Sequence, residues 1–295
     1  MNQQRATLAR QALNKSIEVR RRAGFDLKSP ICIYDLCEKM KVSVRFVNFS
    51  MEGLYAKKDL PTILISALRP LHRRNFTCAH EVGHHVFDHG FRVDEIYEEV
   101  SADRAKRKKF VPEEFLADCF AGFMLMPPPG LRQAFAARGW EHSLASPSQY
   151  FVIASQFGVS YEALVVQVLG SKLITDRKAE QLLKTTPKMI REEMIGRRTS
   201  EPLLVVDHQW RAPTIDTEVG HLLLLPAGVE ASANNLVFEQ DMPRGRLFRV
   251  TRPGLMRVHN GQSGWAAFVR IMRYEYAGLS RYRHLDDDTD GVEDD

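Results

Sequence analysis

Arg73-Arg74-Asn75-Phe76-Thr77-Cys78-Ala79-His80-Glu81-Val82-Gly83-His84-His85-Val86-Phe87 is the stretch on which the rest of the chain is organised. Its apolar residues Phe76, Ala79, Val82, Val86 and Phe87 recur at three- and four-residue steps, the period of a helix with one buried face. On such a helix His80 and His84 lie one turn apart on the same side, so their imidazoles can aim at one point. Zn²⁺ accepts imidazole nitrogens at about 2.0–2.1 Å. Glu81, directly after His80, is rotated off that line. It is placed to meet a water beside the metal, which is the post of a general base in metal-assisted hydrolysis. Gly83 costs the helix about 1 kcal/mol relative to alanine, so something is expected to approach the backbone there. The plainer alternative is a core helix whose histidines are only hydrogen-bonded. His85 is turned about 100° from His84. Both it and His89 are read as non-ligands.

A catalytic zinc site needs a third protein ligand and an open fourth position. The source of the third is expected in Pro112-Glu113-Glu114-Phe115-Leu116-Ala117-Asp118-Cys119-Phe120-Ala121-Gly122-Phe123-Met124-Leu125-Met126-Pro127. Its apolar residues have helical spacing, Pro112 suits a first turn and Pro127 a stop. Glu113, Glu114 and Asp118 are the carboxylates available, and spacing does not separate Glu113 from Glu114. Glu114 and Asp118 share a face, so Glu114 can serve as ligand while Asp118 accepts the outer N–H of a ligating histidine.

Together the two stretches contain R-x-x-F-T-x-A-H-E-x-G-H, from Arg73 to His84, and E-x-x-A-D-x-F-A-x-x-x-L-M-P, from Glu114 to Pro127. This pair resembles the ImmA/IrrE metallopeptidases over roughly the first 175 residues. The resemblance implies a zincin-like fold, zinc ligands at His80, His84 and Glu114, Glu81 as the catalytic glutamate, and a helix-turn-helix repressor as the protein cut. It also implies a small sheet beside the active helix whose edge strand pairs an extended substrate. One departure is a charged insert at 94–109, acidic first and basic after, longer than expected between these helices and read as a partly helical lid.

Elsewhere, 295 residues with 44% apolar content and a net charge of +4 suit a chain of two or three packed domains. The fold class expected is α+β. A zincin-like domain spans 1–130, a helical helix-turn-helix-like segment and basic linker 131–198, a β-rich C-terminal domain 199–285, and an acidic tail 286–295. No apolar run approaches 18 residues and no signal peptide is evident, so a soluble cytoplasmic protein with no membrane partner is expected. Cys32, Cys37, Cys78 and Cys119 lack ribbon spacing and are expected as free thiols, one of them a candidate for the fourth zinc position.

The coarse elements follow from periodicity and punctuation. Helices are expected over 1–23 and from Ser29-Pro30 onward, with Arg20-Arg21-Arg22 as a solvated helix end. Strands are expected at 42–47, 53–56 and 61–66, the last two around the turn Lys57-Lys58-Asp59. Pro127-Pro128-Pro129-Gly130 should be a stiff break, with helix resuming at 131. Two more helices flank Gly158-Val159-Ser160. The second carries one acid and no base, so it is read as a packing element rather than a DNA reader. Short β runs at 203–206, 221–225, 236–238, 247–250 and 266–271 point to an antiparallel sheet, GAF-like by fold analogy with the radiation-response members of the family.

Between 242 and 284 nine arginines (244, 246, 249, 252, 257, 270, 273, 281, 283) face one acid, Glu275, with Trp265, Phe268, Tyr274, Tyr276 and Tyr282 interleaved. Arginine among aromatics suits single-stranded nucleic acid, and an arginine-rich solvated sheet face is the alternative. The tail carries seven acids in ten residues. The function expected is a zinc endopeptidase that cleaves a repressor to release a stress or anti-phage operon, triggered by single-stranded DNA. The layout is similar both to IrrE-type regulators and to CapP-type peptidases. The competing reading is a nucleic-acid-binding regulator whose metal site is not catalytic.

Overall fold

A computed structural model describes residues 3–57, 60–89, 92–93, 110–231 and 234–285. The turn at 58–59, the charged insert 94–109 and the acidic tail lie outside the described residues. The architecture is α+β, and the chain divides into two compact units. One comprises 1–26, 33–125 and 277–280; the other comprises 27–32, 126–276 and 281–295.

The first unit holds helices α1 (Gln3–Arg22), α2 (Ile33–Lys39), α3 (Leu71–Phe87) and α4 (Pro112–Leu125), with strands β1 (Ser43–Val47), β2 (Gly53–Ala56), β3 (Thr62–Ser66) and β4 (Arg92–Val93). A last strand, β13 (Gly278–Leu279), returns from near the C-terminus to pair with β1 through Arg45 and Phe46. The sheet order is β13-β1-β3-β2-β4. β1 and β3 run parallel and the other pairs are antiparallel. Alternation sets the faces: Val44 and Phe46 are buried while Arg45 is exposed, and Ile63 and Ile65 are wholly buried. β2 is not the outer strand, because Leu54 and Tyr55 pair with Val93 and Arg92 of β4. β4 is the outer strand on that side of the sheet.

α4 packs on both α1 and α3. Arg20, expected at a solvated helix end, is wholly buried. Its guanidinium donates to the carbonyl of Met124 at the end of α4 and, at 2.8 Å, to that of Asp26. Burial lowers its pKa to about 10, with Asp26 opposing, so it stays charged and satisfies, at Met124, a carbonyl that the end of α4 leaves without an intrahelical partner.

The second unit begins with α5 (Pro128–Ala136), α6 (Pro147–Phe157), α7 (Tyr161–Gly170), α8 (Asp176–Leu183) and α9 (Pro187–Ile195). The proline run is a helix start rather than a spacer: Pro127 is the N-cap and the next two prolines fill the first turn, where a missing N–H costs no helical bond. Ser146 and Gln149 form a reciprocal capping box on α6, and Ser160, Thr175 and Thr186 cap the next three helices. Gly158 turns the chain in the left-handed region, and α6 and α7 meet at 95°. Among the described residues no single helix is long and apolar enough to cross a membrane.

Strands β5 (Leu203–Val205), β6 (Thr214–Glu218), β7 (Leu222–Leu225), β8 (Glu230–Ala231), β9 (Leu236–Met242), β10 (Gly245–Val250), β11 (Gly254–His259) and β12 (Ala266–Met272) complete the unit. They form two four-stranded sheets, β5-β7-β10-β9 and β6-β12-β11-β8. The single antiparallel sheet expected here is corrected on two counts: there are two sheets, and each contains one parallel pair, β5 with β7 and β6 with β12. Both contribute to one core, with Leu223, Leu225, Phe248 and Val250 from the first and Ile215, Val258, Val269 and Ile271 from the second. Arg138 of the helical part donates two hydrogen bonds to Asp207, at 2.6 and 2.8 Å, and the Ser155 hydroxyl accepts the N–H of Val205. The helical stretch and the sheets are thereby tied into one body.

Several arginines of 242–284 pair with acids from outside that run. Arg270 makes a two-pronged pair with Asp216, at 2.7 Å for each bond. Arg249 bridges Glu201 and Glu239, and Arg246 pairs with Asp241 while lying over Phe238. Arg283 is buried near Asp216. Arg244, Arg252 and Arg257 remain exposed, as do Phe268 and Tyr274.

Candidate metal centre

α3 is a buried helix carrying polar side chains, and its packing explains which way each points. Cys78, Ala79 and Val82 fill the core, while His80, Glu81 and His84 are buried polar groups at 7%, 1% and 0% exposure. Burial of three such groups requires partners. The two histidines present Nε2 atoms 2.9 Å apart. The Glu114 Oε2 lies 3.3 Å from that of His80 and 3.7 Å from that of His84. Tetrahedral ligands at zinc bond lengths sit about 3.4 Å from one another, so these spacings bracket the requirement. Of the described residues, His80, His84 and Glu114 form the group able to hold a metal. Glu113, equivalent to Glu114 by spacing, is not part of it.

The approach of α4 depends on Gly83. A methyl group there would stand 3.1 Å from the Cα of Ala117 and 3.3 Å from the ring of Phe120. The close partner expected at this glycine is thus α4, which brings Glu114 to the histidines. A second glycine serves the other side. A side chain at Gly53 of β2 would collide with Thr77 and with Glu81, whose Oε1 it would meet at 2.8 Å. Glu81 is consequently set against β2, away from the line of the ligand nitrogens.

The outer nitrogens of the histidines are held as well. His80 Nδ1 is 2.8 Å from Asp118 Oδ1, the arrangement expected for the carboxylate four residues after Glu114. His84 Nδ1 is 2.9 Å from Nδ1 of His89. Burial works against a charged His80, but the hydrogen bonds to Asp118 and Glu114, with the charges of Asp118 and Glu81, outweigh it and raise its pKa to about 10. Hydrogen bonds from His80 and His84 hold the Glu114 carboxyl well below the usual carboxylate range. The pocket is built to keep a carboxylate ionised beside a positive charge, a place a cation can take over from a proton.

Other sequence candidates lie outside the cluster. His85 turns away, with Nδ1 2.8 Å from the Tyr55 hydroxyl. The four cysteines are free thiols and none joins the group. Cys37 and Cys78 lie side by side in the core at 3.8 Å, and burial pushes the Cys119 thiol up to about 11. The contact of His89 with His84 was missed, because a histidine beyond a helix end carries no periodic signal.

Residues 37–168, from α2 through α7, match the family model for the IrrE N-terminal-like domain, Peptidase_M78. This chain carries an ImmA/IrrE-family metallopeptidase domain. No curated protein matches the chain. In this M78 domain the two motif helices are α3 and α4, and His80, His84 and Glu114 are the described residues that could hold the metal the family implies.

Proposed function

We propose that the chain is a zinc-dependent endopeptidase of zincin type, with His80, His84 and Glu114 as ligands and Glu81 as general base. The observation that carries this reading is the convergence of two imidazoles and one carboxylate, with a second carboxylate buried one residue past the first ligand. Two nitrogens and one oxygen are a donor set that suits zinc and leaves a fourth position for chemistry. Bound by these residues, the ion would supply Lewis acidity for hydrolysis of a peptide carbonyl. Glu81, buried against β2, accepts the water's proton and passes it to the departing amine. Asp118, 2.8 Å from Nδ1 of His80, keeps that imidazole oriented.

The substrate in this reading is a helix-turn-helix repressor, and its cleavage releases a stress or phage-defence operon in the cytoplasm. The four free thiols agree with a reducing compartment. The β-rich part of the chain is then the sensing part. Exposed Arg244, Arg252 and Arg257, with Phe268 and Tyr274, are the residues through which it would meet single-stranded DNA.

Cleavage of a purified repressor by wild type and by Glu81→Gln tests the peptidase. Loss of at least about a hundred-fold in rate with zinc content unchanged is expected. Undiminished cleavage, or a stress response in cells that survives the substitution, would instead support a regulator with a non-catalytic metal site. Anisotropy of a labelled oligothymidine across a salt series tests the DNA contact. Arg257→Ala and Arg252→Ala should weaken binding and flatten its salt dependence.

A further inference from the structure

His84 is the most deeply buried of the three donors, and its outer nitrogen must have an acceptor. A neutral imidazole carries one N–H and one lone pair. With Nε2 offering its lone pair to an ion held between His80, His84 and Glu114, Nδ1 would carry the proton and must donate it. The atom there to receive it is Nδ1 of His89, at 2.9 Å. The two donor histidines are therefore supported differently, His80 by a carboxylate and His84 by a second imidazole.

The end of α3 is shaped to produce this contact. The helix stops at Phe87, and Asp88 takes a left-handed conformation, φ 56° and ψ 43°. That turn folds the chain back so that the His89 N–H bonds to the carbonyl of His84 at 3.1 Å. Main chain and ring of His89 thus both engage the same residue. The ring stacks on Phe87, with centroids 5.7 Å apart and planes at 18°, and stands edge-on to His84 at 5.0 Å. Its orientation is set by packing before any ion arrives.

We infer that His89 is a positioning residue for the metal centre: it fixes the tautomer and ring angle of His84 by accepting its Nδ1–H, and the left-handed cap at Asp88 is what delivers it. This rests on the reading of His84 as a ligand, and the test separates the two. Zinc affinity is measured by competition with a chromophoric chelator for wild type, His89→Leu and His89→Asn, alongside thermal unfolding of each metal-free protein. Leucine fills space without an acceptor, and asparagine places an oxygen where Nδ1 was. Loss of an outer partner weakens metal binding by about 10–100-fold. His89→Leu should show that loss, and His89→Asn should recover most of it at matched unfolding temperature. Equal zinc affinity in wild type and His89→Leu overturns the inference while leaving the ligand set standing. Failure of wild type to bind zinc removes the ligand reading itself. Should the variants not fold, nitrogen-15 resonances of the wild-type imidazoles decide the matter: protonation of His84 at Nδ1 and of His89 at Nε2 supports the inference, and the reverse pattern overturns it.

Discussion

Glu114 and Glu113 are neighbours with different fates, and the difference can be measured one residue at a time. Glu114 is held ionised by two histidines, so neutralising it removes a ligand and the charge that compensates the ion. Glu114→Gln should lower zinc affinity at least about ten-fold, while Glu113→Ala should leave zinc content at the wild-type level by mass spectrometry. A Glu113→Ala protein that emerges without zinc would reverse the assignment. The histidines were legible because four residues on a helix is a local distance. Glu114 was not separable from Glu113 by spacing, since a 30-residue gap says nothing about which carboxylate reaches the site; the motif resemblance made that choice. His89 was illegible for a physical reason: its contact is made by a left-handed Asp88, a conformation that asparagine, aspartate and glycine all visit and that no hydrophobic period encodes.

Between elements, the site depends on how closely α3 and α4 approach. Gly83→Ala should favour the isolated helix by about 1 kcal/mol yet push against the Ala117 backbone at 3.1 Å. Since backbone cannot swing aside as a side-chain tip can, α4 must shift. The expected result is weaker zinc binding without loss of helical signal by circular dichroism. Arg20 sits at the other contact of α4. Arg20→Leu leaves the carbonyls of Met124 and Asp26 without their donor in a buried setting, and should destabilise by about 2–3 kcal/mol, read as a lower urea midpoint. The helices of the M78 domain were visible from periodicity and from their caps. The proline run misled because three prolines look like a stop, although proline at a first turn gives up no bond. Strands β6 and β11 escaped notice because Ile215 is the only apolar residue of β6, where buried Thr217 and Glu218 are polar, and because exposed, apolar Leu255 blurs the alternation of Met256, Arg257 and Val258 in β11.

Across the whole molecule, charge is paired between distant stretches. Counting arginines over 242–284 made that region look strongly basic, but Glu201, Asp216, Glu239 and Asp241 come from outside the run or from its pairing strand. His284 follows from the same surroundings. Burial, with Arg283 beside it, pushes its pKa down to about 4, Asp216 opposing. The folded imidazole stays neutral while the unfolded one takes a proton below about pH 6.5. Stability contributed by this site is therefore complete above 6.5 and is lost as pH falls toward 4, by about 3 kcal/mol in all. Urea unfolding at pH 7 and at pH 4.5 should show a larger drop for wild type than for His284→Phe; parallel drops would remove His284 as the cause.

β13 bears on how far the peptidase part could ever be a module. Two residues from almost the end of the chain close one side of a sheet whose other strands come from the first hundred residues. A protein cut after the last motif helix would keep every proposed ligand and lose that closure. The main-chain donors and acceptors of Arg45 and Phe46 would then stand open as a template for another chain. Such a fragment is expected to bind zinc and to self-associate. A genetic exchange that swapped the C-terminal part for another would have to bring its own closing strand.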